Sequence, residues 1–348
     1  MLHMTPMNEL AKITRPRSVG SVSGNVVVPA AIAGAGENAT RRFLEFFAAT
    51  IRNRNTRMAY YRACCSFFVW LDINGITELD EIEPIHVAAY IEQLQTTNAK
   101  PTVKQHLAAV RMLFDYLVVG QVLAVDPAHA VRGPKHVVKR GKTPVLVVDD
   151  ARTLLKSIRI SRKVKQPDGA QVEMPDIAGL RDRALIAVMT YALARIGAAV
   201  GMRVEDYYPV GKRWWVRLHE KGGKRHEMPA HHNLETYLDE YIAAAGIREL
   251  SKTPLFRSTV RRGDALTASP MHRIDAYRMV RRRTADAGFT QRIGCHVFRT
   301  TGITAYLEGG GSLENAQAMA AHESPRTTKL YDRTSDAITL DEVERIKI

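Results

Sequence analysis

Six side chains in the second half of the sequence have the types needed to break and remake a phosphodiester bond: Arg195, Lys221, His296, Arg299, His322 and Tyr331. A phosphorus under attack gathers negative charge on its non-bridging oxygens, and planar guanidinium forks match that geometry bidentately. Two arginines with two imidazoles suffice to hold and stabilise a pentacoordinate phosphorus. A tyrosine hydroxyl, with an ordinary pKa near about 10, becomes a nucleophile when a base or a cationic field assists it. A lysine on a flexible turn can protonate the departing oxygen. His296-Val297-Phe298-Arg299 sets imidazole and guanidinium on one helical face.

Taken singly, each of the six has an ordinary structural role open to it. Tyr331 would pack a helix on the core, His296 would be a satisfied buried histidine, and Lys221 an exposed turn residue. Arg195 and Arg299 would be ion-pair partners, with Glu205, Asp206 and Asp286 as acceptors. Their joint occurrence in a basic chain weighs against coincidence. Lys+Arg 50 against Asp+Glu 36 leaves +14 over 348 residues, an excess suited to a polyanion whose condensed counterions are released on binding. Charge alone fits an anionic membrane surface equally well. However, no stretch approaches the ~18 apolar residues that span a bilayer. Cys64, Cys65 and Cys295 make neither a metal-ligand spacing nor a disulfide framework, so a reducing, cytoplasmic setting is expected.

The elements that must position these groups fall into two domains, as the chain length implies. Residues 1–37 lack periodicity and are expected to be a loosely ordered tail. Residues 38–128 carry helical apolar spacing. Thr40 is expected to cap a first helix bearing Phe43, Leu44, Phe46 and Phe47. Asn55-Thr56 starts a second that ends at Asn74-Gly75, while Pro84 and Pro101-Thr102 open a third and a fourth. Residues 129–143 read as a basic linker, with Arg132, Lys135, Lys139, Arg140 and Lys142 and no carboxylate after His129. A catalytic domain over 144–335 then includes a helix from Asp149 or Asp150, an apolar helix from Gly179 to Ala194 ended by Arg195, and a β-hairpin. That hairpin pairs Trp214–His219 with Arg225–Pro229 around Lys221-Gly222-Gly223-Lys224. The remainder is expected to be helical, broken at Gly309-Gly310-Gly311 and Ser324-Pro325.

In order and separation the six residues resemble the site of the tyrosine recombinase, or phage-integrase-type, family, over about residues 38–335. His322-Glu323-Ser324-Pro325-Arg326-Thr327-Thr328-Lys329-Leu330-Tyr331 is similar to that family's segment joining its second histidine to its nucleophile. The resemblance implies a mainly α fold with a small β-hairpin or sheet. An N-terminal four-helix core-binding (SAM-like) domain would precede a C-terminal α+β catalytic domain. It implies that Arg195 and Arg299 clamp the scissile phosphate, His322 adds a hydrogen bond and His296 assists proton transfer. Lys221 would be the general acid and Tyr331 the nucleophile, with no metal and no cofactor. Two positions depart from the family pattern. Ala198 stands where an acidic residue usually supports the first arginine, and Ala321 stands where a glycine usually precedes the second histidine.

The expected partner is double-stranded DNA carrying recombination sites. Thr56, Arg57 and Arg62 on one helix, Lys100, Thr102, Lys104 and Arg111 on another, and Lys139 and Arg140 in the linker are candidate phosphate contacts; solvated faces are the alternative. Residues 336–348 place Thr339 three before Glu342, a capping-box spacing, and Ile338, Leu340, Val343 and Ile346 on one stripe. The resemblance implies that this segment docks on a neighbouring copy, building a homotetramer on DNA, and leaves room for an accessory directionality factor. Integration, excision, resolution and transposition, with the mobile-element setting some of them imply, are all compatible with the sequence. So are two alternative activities: relaxation of DNA in the manner of a type IB topoisomerase, and DNA binding without reaction.

Overall fold

The computed structural model describes residues 27–137, 141, 143–168, 170–220, 223–260 and 265–332. They divide into two compact units, Met1–Val137 and Val138–Ile348.

The first unit is helical among its described residues: α1 (Ala30–Gly34), α2 (Glu37–Glu45) running into a π-helical turn (Phe46–Thr50), α3 (Arg54–Ile73), α4 (Pro84–Thr97) and α5 (Lys100–Val119). Local chemistry sets the starts. Asn53 caps α3, its Oδ1 accepting the backbone N–H of Asn55 at 3.0 Å and of Thr56 at 3.2 Å. Pro84 and Pro101 sit in first turns, where no backbone donor is lost. Gly75, with φ +77°, takes the left-handed conformation just past α3. Phe43, Phe46, Phe67 and Phe114 fill the core, with edge-to-face ring pairs such as Phe67 and Phe114, 6.0 Å between centroids. Two expectations shift. Thr40 lies inside α2, which begins at Glu37 behind Gly36. Within the expected tail, Val28, Ala31 and Ile32 are buried in this core, while residues 1–26 lie outside the described residues.

In the second unit, α6 (Val148–Ser157) leads to an antiparallel hairpin, β1 (Ser161–Lys165) and β2 (Gln171–Pro175). Then come α7 (Ile177–Tyr191), α8 (Ile196–Val200), and the antiparallel sheet β3 (Tyr207–Val210), β4 (Arg213–His219) and β5 (Arg225–Pro229). After α9 (His232–Ala245), a second hairpin, β6 (Arg257–Thr259) and β7 (Leu266–Pro270), precedes α10 (Arg273–Asp286), α11 (Cys295–Glu308), α12 (Leu313–Met319) and α13 (Pro325–Lys329). The expected hairpin is β4–β5, registered by Trp215 opposite Pro229 and Leu218 opposite His226. The two further hairpins correct the expectation of helix elsewhere. Their strands are short, β2 is exposed at every position, and no inside–outside alternation betrays them.

α7 is buried on all sides from Gly179 to Met189, as a helix at the centre of a unit must be. Its Asp176 cap accepts the N–H of Gly179 at 3.0 Å. α11 crosses it closely at Gly302, where a Cβ would lie 2.1 Å from the carbonyl oxygen of Thr190. Only glycine permits that approach, and Arg299 lies one turn before it on the same helix.

Candidate active site in the C-terminal unit

Arg195 does not end α7. The chain leaves that helix at Tyr191, passes Leu193 in the left-handed region (φ +51°), and places Arg195 in extended backbone as the N-cap of α8. This turn has two consequences. It aims the carbonyl of Leu193 at α11, where it accepts from Arg299 Nη1, and it leaves the Arg195 side chain 38% exposed. Arg299 is 1% exposed. Its Nη2 donates to the carbonyl of Ala320, while its Nε is buried with no partner among the described residues.

Glu220, at the end of β4, supplies the carboxylate between the two arginines. Its Oε2 accepts Arg195 Nη1 at 2.5 Å, and its Oε1 lies 3.8 Å from Arg299 Nη1. None of the acceptors expected from sequence takes that place: Asp206 instead engages Arg217 at 3.6 Å and His219 at 3.3 Å. Burial, with the charge of Arg195 adding to it, lowers the Arg299 pKa to about 10, and Glu220 opposes the shift. Arg299 therefore stays a cation at neutral pH.

Tyr331, 8% exposed, lies between the two histidines. Its hydroxyl is 3.0 Å from His296 Nε2, and its ring stacks on His322 with centroids 5.5 Å apart and planes 14° from parallel. Its carbonyl accepts from Thr304 Oγ1 at 3.0 Å, which ties α13 and its exit to α11. His322 Nδ1 is 2.9 Å from Thr328 Oγ1. Desolvation, then Arg299 and Arg195, lowers the His296 pKa. The same causes, with His296 added, lower that of His322 to about 4. Both imidazoles are thus neutral at physiological pH, and a neutral His296 can accept a proton from the phenol. Ala321, just before His322, has φ +46°, a conformation glycine adopts freely and other residues adopt under strain.

The structure thus brings together Arg195, His296, Arg299, His322 and Tyr331. Lys221 lies outside the described residues, as do Lys139, Arg140 and residues 336–348. Sequence reasoning missed Glu220, Thr304 and Thr328. Glu220 carried one signal, a lone acid directly before the candidate lysine.

In the first unit, Arg62, Lys100 and Lys104 are exposed, and Thr56 and Thr102 are half-buried. Arg57 and Arg111 have other partners: Arg57 Nε donates to the carbonyl of Ile51 at 3.0 Å, and Arg111 Nε to that of Ala128 at 3.1 Å. Among the described residues, no group of His, Cys, Asp and Glu has metal-ligand geometry.

Comparison with known proteins points the same way as this geometry. Residues 170–337 match the phage integrase family, and residues 40–122 match the phage integrase N-terminal SAM-like domain. The chain is 26% identical over 284 residues to tyrosine recombinase XerC of Thermodesulfovibrio yellowstonii, covering 80% of this chain and 85% of that one. Its fold is similar to XerH site-specific recombinase bound to difH substrate in a pre-cleavage complex (TM-score 0.62, 15% identity, 91% of this chain and 96% of the other). It is similar also to a lambda integrase tetramer bound to a Holliday junction (TM-score 0.62, 15% identity, 86% and 79%). With both of its units matched in this way, the chain belongs to the phage-integrase family of tyrosine recombinases.

Proposed function

We propose that Tyr331 is the nucleophile with which this enzyme cuts and rejoins DNA, forming a 3′-phosphotyrosyl link. DNA strand cleavage and rejoining in site-specific recombination is the activity of the family to which the chain belongs. The observation that carries the assignment of Tyr331 is its hydroxyl 3.0 Å from the neutral His296 Nε2, one helical turn from Arg299.

In the proposed step His296 takes the phenolic proton as the tyrosine oxygen attacks phosphorus. The P–O5′ bond breaks, and Lys221 gives a proton to the departing oxygen. Arg195, the accessible arginine, holds one non-bridging oxygen, while Arg299 and His322 stabilise the charge that develops in the transition state. One phosphodiester is exchanged for another, so a free 5′ hydroxyl reverses the step without nucleotide hydrolysis.

Double-stranded recombination sites are the proposed substrate. Arg62, Lys100, Lys104, Thr56 and Thr102 are the phosphate contacts we favour in the first unit, with Lys139 and Arg140 in the linker and Arg57 and Arg111 as secondary candidates. A homotetramer on two sites is the proposed assembly. A groove lined by Val148, Tyr191, Leu193, Ala305, Tyr306 and Met319 supports it, offering an apolar seat for the stripe Ile338, Leu340, Val343 and Ile346 of a second copy. The linker and catalytic limits we propose are 129–143 and 144–335, while the first domain, expected over 38–128, reaches back to include Val28, Ala31 and Ile32. A cytoplasmic location is proposed as well; among the described residues no helix is long and apolar enough to cross a membrane.

The test is a nicked suicide duplex drawn from DNA flanking the gene. The wild type is expected to leave a covalent protein–DNA adduct and Tyr331→Phe none. A full-strength adduct from Tyr331→Phe overturns the assignment.

A further inference from the structure

We propose that Glu220 is a positioning residue for the cleavage step, its carboxylate holding Arg195 and Arg299 at the spacing of one phosphate before DNA arrives. The proposal rests on the assignment of both arginines to the scissile phosphate.

Three observations carry it. The Glu220 side chain is 3% exposed, and a carboxylate leaves water at that depth only if charged partners receive it. Its described partners are the candidate phosphate ligands: Arg195 Nη1 at 2.5 Å and backbone N at 3.5 Å, and Arg299 Nη1 at 3.8 Å. The backbone of the same residue closes the β4–β5 loop, its N–H donating to the carbonyl of Lys224 at 2.8 Å, and Lys221 is the next residue in the chain. One residue thus fixes the first arginine, faces the second and anchors the loop that carries the candidate general acid.

The geometry also leaves donors for a ligand. Glu220 engages Nη1 of Arg195, and no described residue accepts from its Nε or Nη2. Arg299 Nε is likewise without a partner. Two guanidiniums brought together without a counter-charge would repel and turn outward. With the carboxylate between them, Arg195 stays beside the buried Arg299 and offers its Nε and Nη2 to a phosphate oxygen. Arrangement in advance lowers the barrier because nothing must reorganise as charge develops. A carboxylate three residues after Arg195 is absent, since Ala198 occupies that position, so the support of both arginines falls to the strand end.

The experiment measures single-turnover cleavage of the nicked duplex at saturating protein, alongside DNA affinity, for the full chain. Glu220→Gln keeps the shape and removes the charge. It is expected to slow cleavage roughly 10- to 100-fold while leaving Kd for DNA within about threefold. In an Arg195→Ala background the same substitution is expected to cost less than about threefold, since the arginine held at 2.5 Å is gone and only the longer approach to Arg299 at 3.8 Å remains. Glu220→Asp, which keeps the charge and withdraws the oxygens, is expected to fall between wild type and Glu220→Gln, and it serves as the test if Glu220→Gln does not fold. A Glu220→Gln rate within threefold of wild type, an equal penalty in both backgrounds, or a wild-type rate for Glu220→Asp overturns the proposal. Each of those results leaves the Tyr331-dependent adduct of the wild type intact. Absence of that adduct would instead overturn the tyrosine assignment itself.

Discussion

Two buried carboxylates in the C-terminal unit each gather arginines, and they differ in how fully the carboxylate is taken up. Asp182, fully buried on α7, takes Arg181 at 2.6 Å, Arg282 at 3.2 Å and Arg283 at 2.9 Å. Arg181 then donates its remaining Nη1 to the carbonyl of Arg257 at 2.8 Å. That cluster joins α7 to α10 and to the β6–β7 hairpin, and its carboxylate is saturated. Glu220 takes one guanidinium closely and a second only at 3.8 Å, with Arg195 partly exposed and Arg299 Nε unmatched. A buried carboxylate makes a structural joint where both its oxygens are taken by arginines that bridge elements, and supports a receptive site where it holds one arginine closely and only faces a second.

The sharpest way to break this comparison is to exchange the readouts. Arg195→Ala is expected to cut the cleavage rate roughly a hundred- to a thousand-fold and to lower the unfolding free energy by about 1–3 kcal/mol, since Arg299 still faces Glu220 at 3.8 Å. Asp182→Asn is expected to do the reverse. It leaves three arginines without their counter-charge, so urea denaturation should register a loss of about 3–5 kcal/mol, while the folded fraction cleaves at close to the wild-type rate. Asp182→Asn protein of normal stability and poor cleavage would dissolve the distinction.

Titration offers a smaller effect. His322 is held at about 4 in the folded chain against an ordinary 6.5, so below pH 6.5 the unfolded chain binds a proton that the folded chain refuses. Stability should therefore fall as the pH drops from about 6.5 toward 4 and level off below that. His322→Asn is expected to flatten this part of a pH series of urea midpoints, and an unchanged slope would contradict the burial-driven shift. Cleavage should hold through pH 6.5, because the lowered pKa of His296 keeps it a proton acceptor there.

The smallest effect concerns backbone. Ala321→Gly should relieve the left-handed strain at φ +46° and raise stability by up to about 1 kcal/mol, partly offset by the freer unfolded chain. A clear drop in melting temperature would show that the alanine side chain contributes packing that outweighs the strain.

What the sequence carried unaided was everything written in local chemistry. Prolines in first turns, glycine past α3, apolar periodicity along α3 and α5, and the Gly-Gly turn of β4–β5 report themselves to a one-dimensional reading, because their causes lie within a few residues. The order of the six candidate residues was legible because order along the chain is itself a property of the sequence. The β1–β2 and β6–β7 hairpins were not, since exposed short strands carry no alternation. Nor did the sequence assign partners. Arg299 meets the carbonyl of Leu193, 106 positions away, Arg195 meets Glu220 rather than Asp206, and Arg57 and Arg111 turn to backbone carbonyls. Such pairings follow from which helix crosses which, and at Gly302 from how closely, so only the folded chain decides whether a guanidinium is consumed or left free for a phosphate.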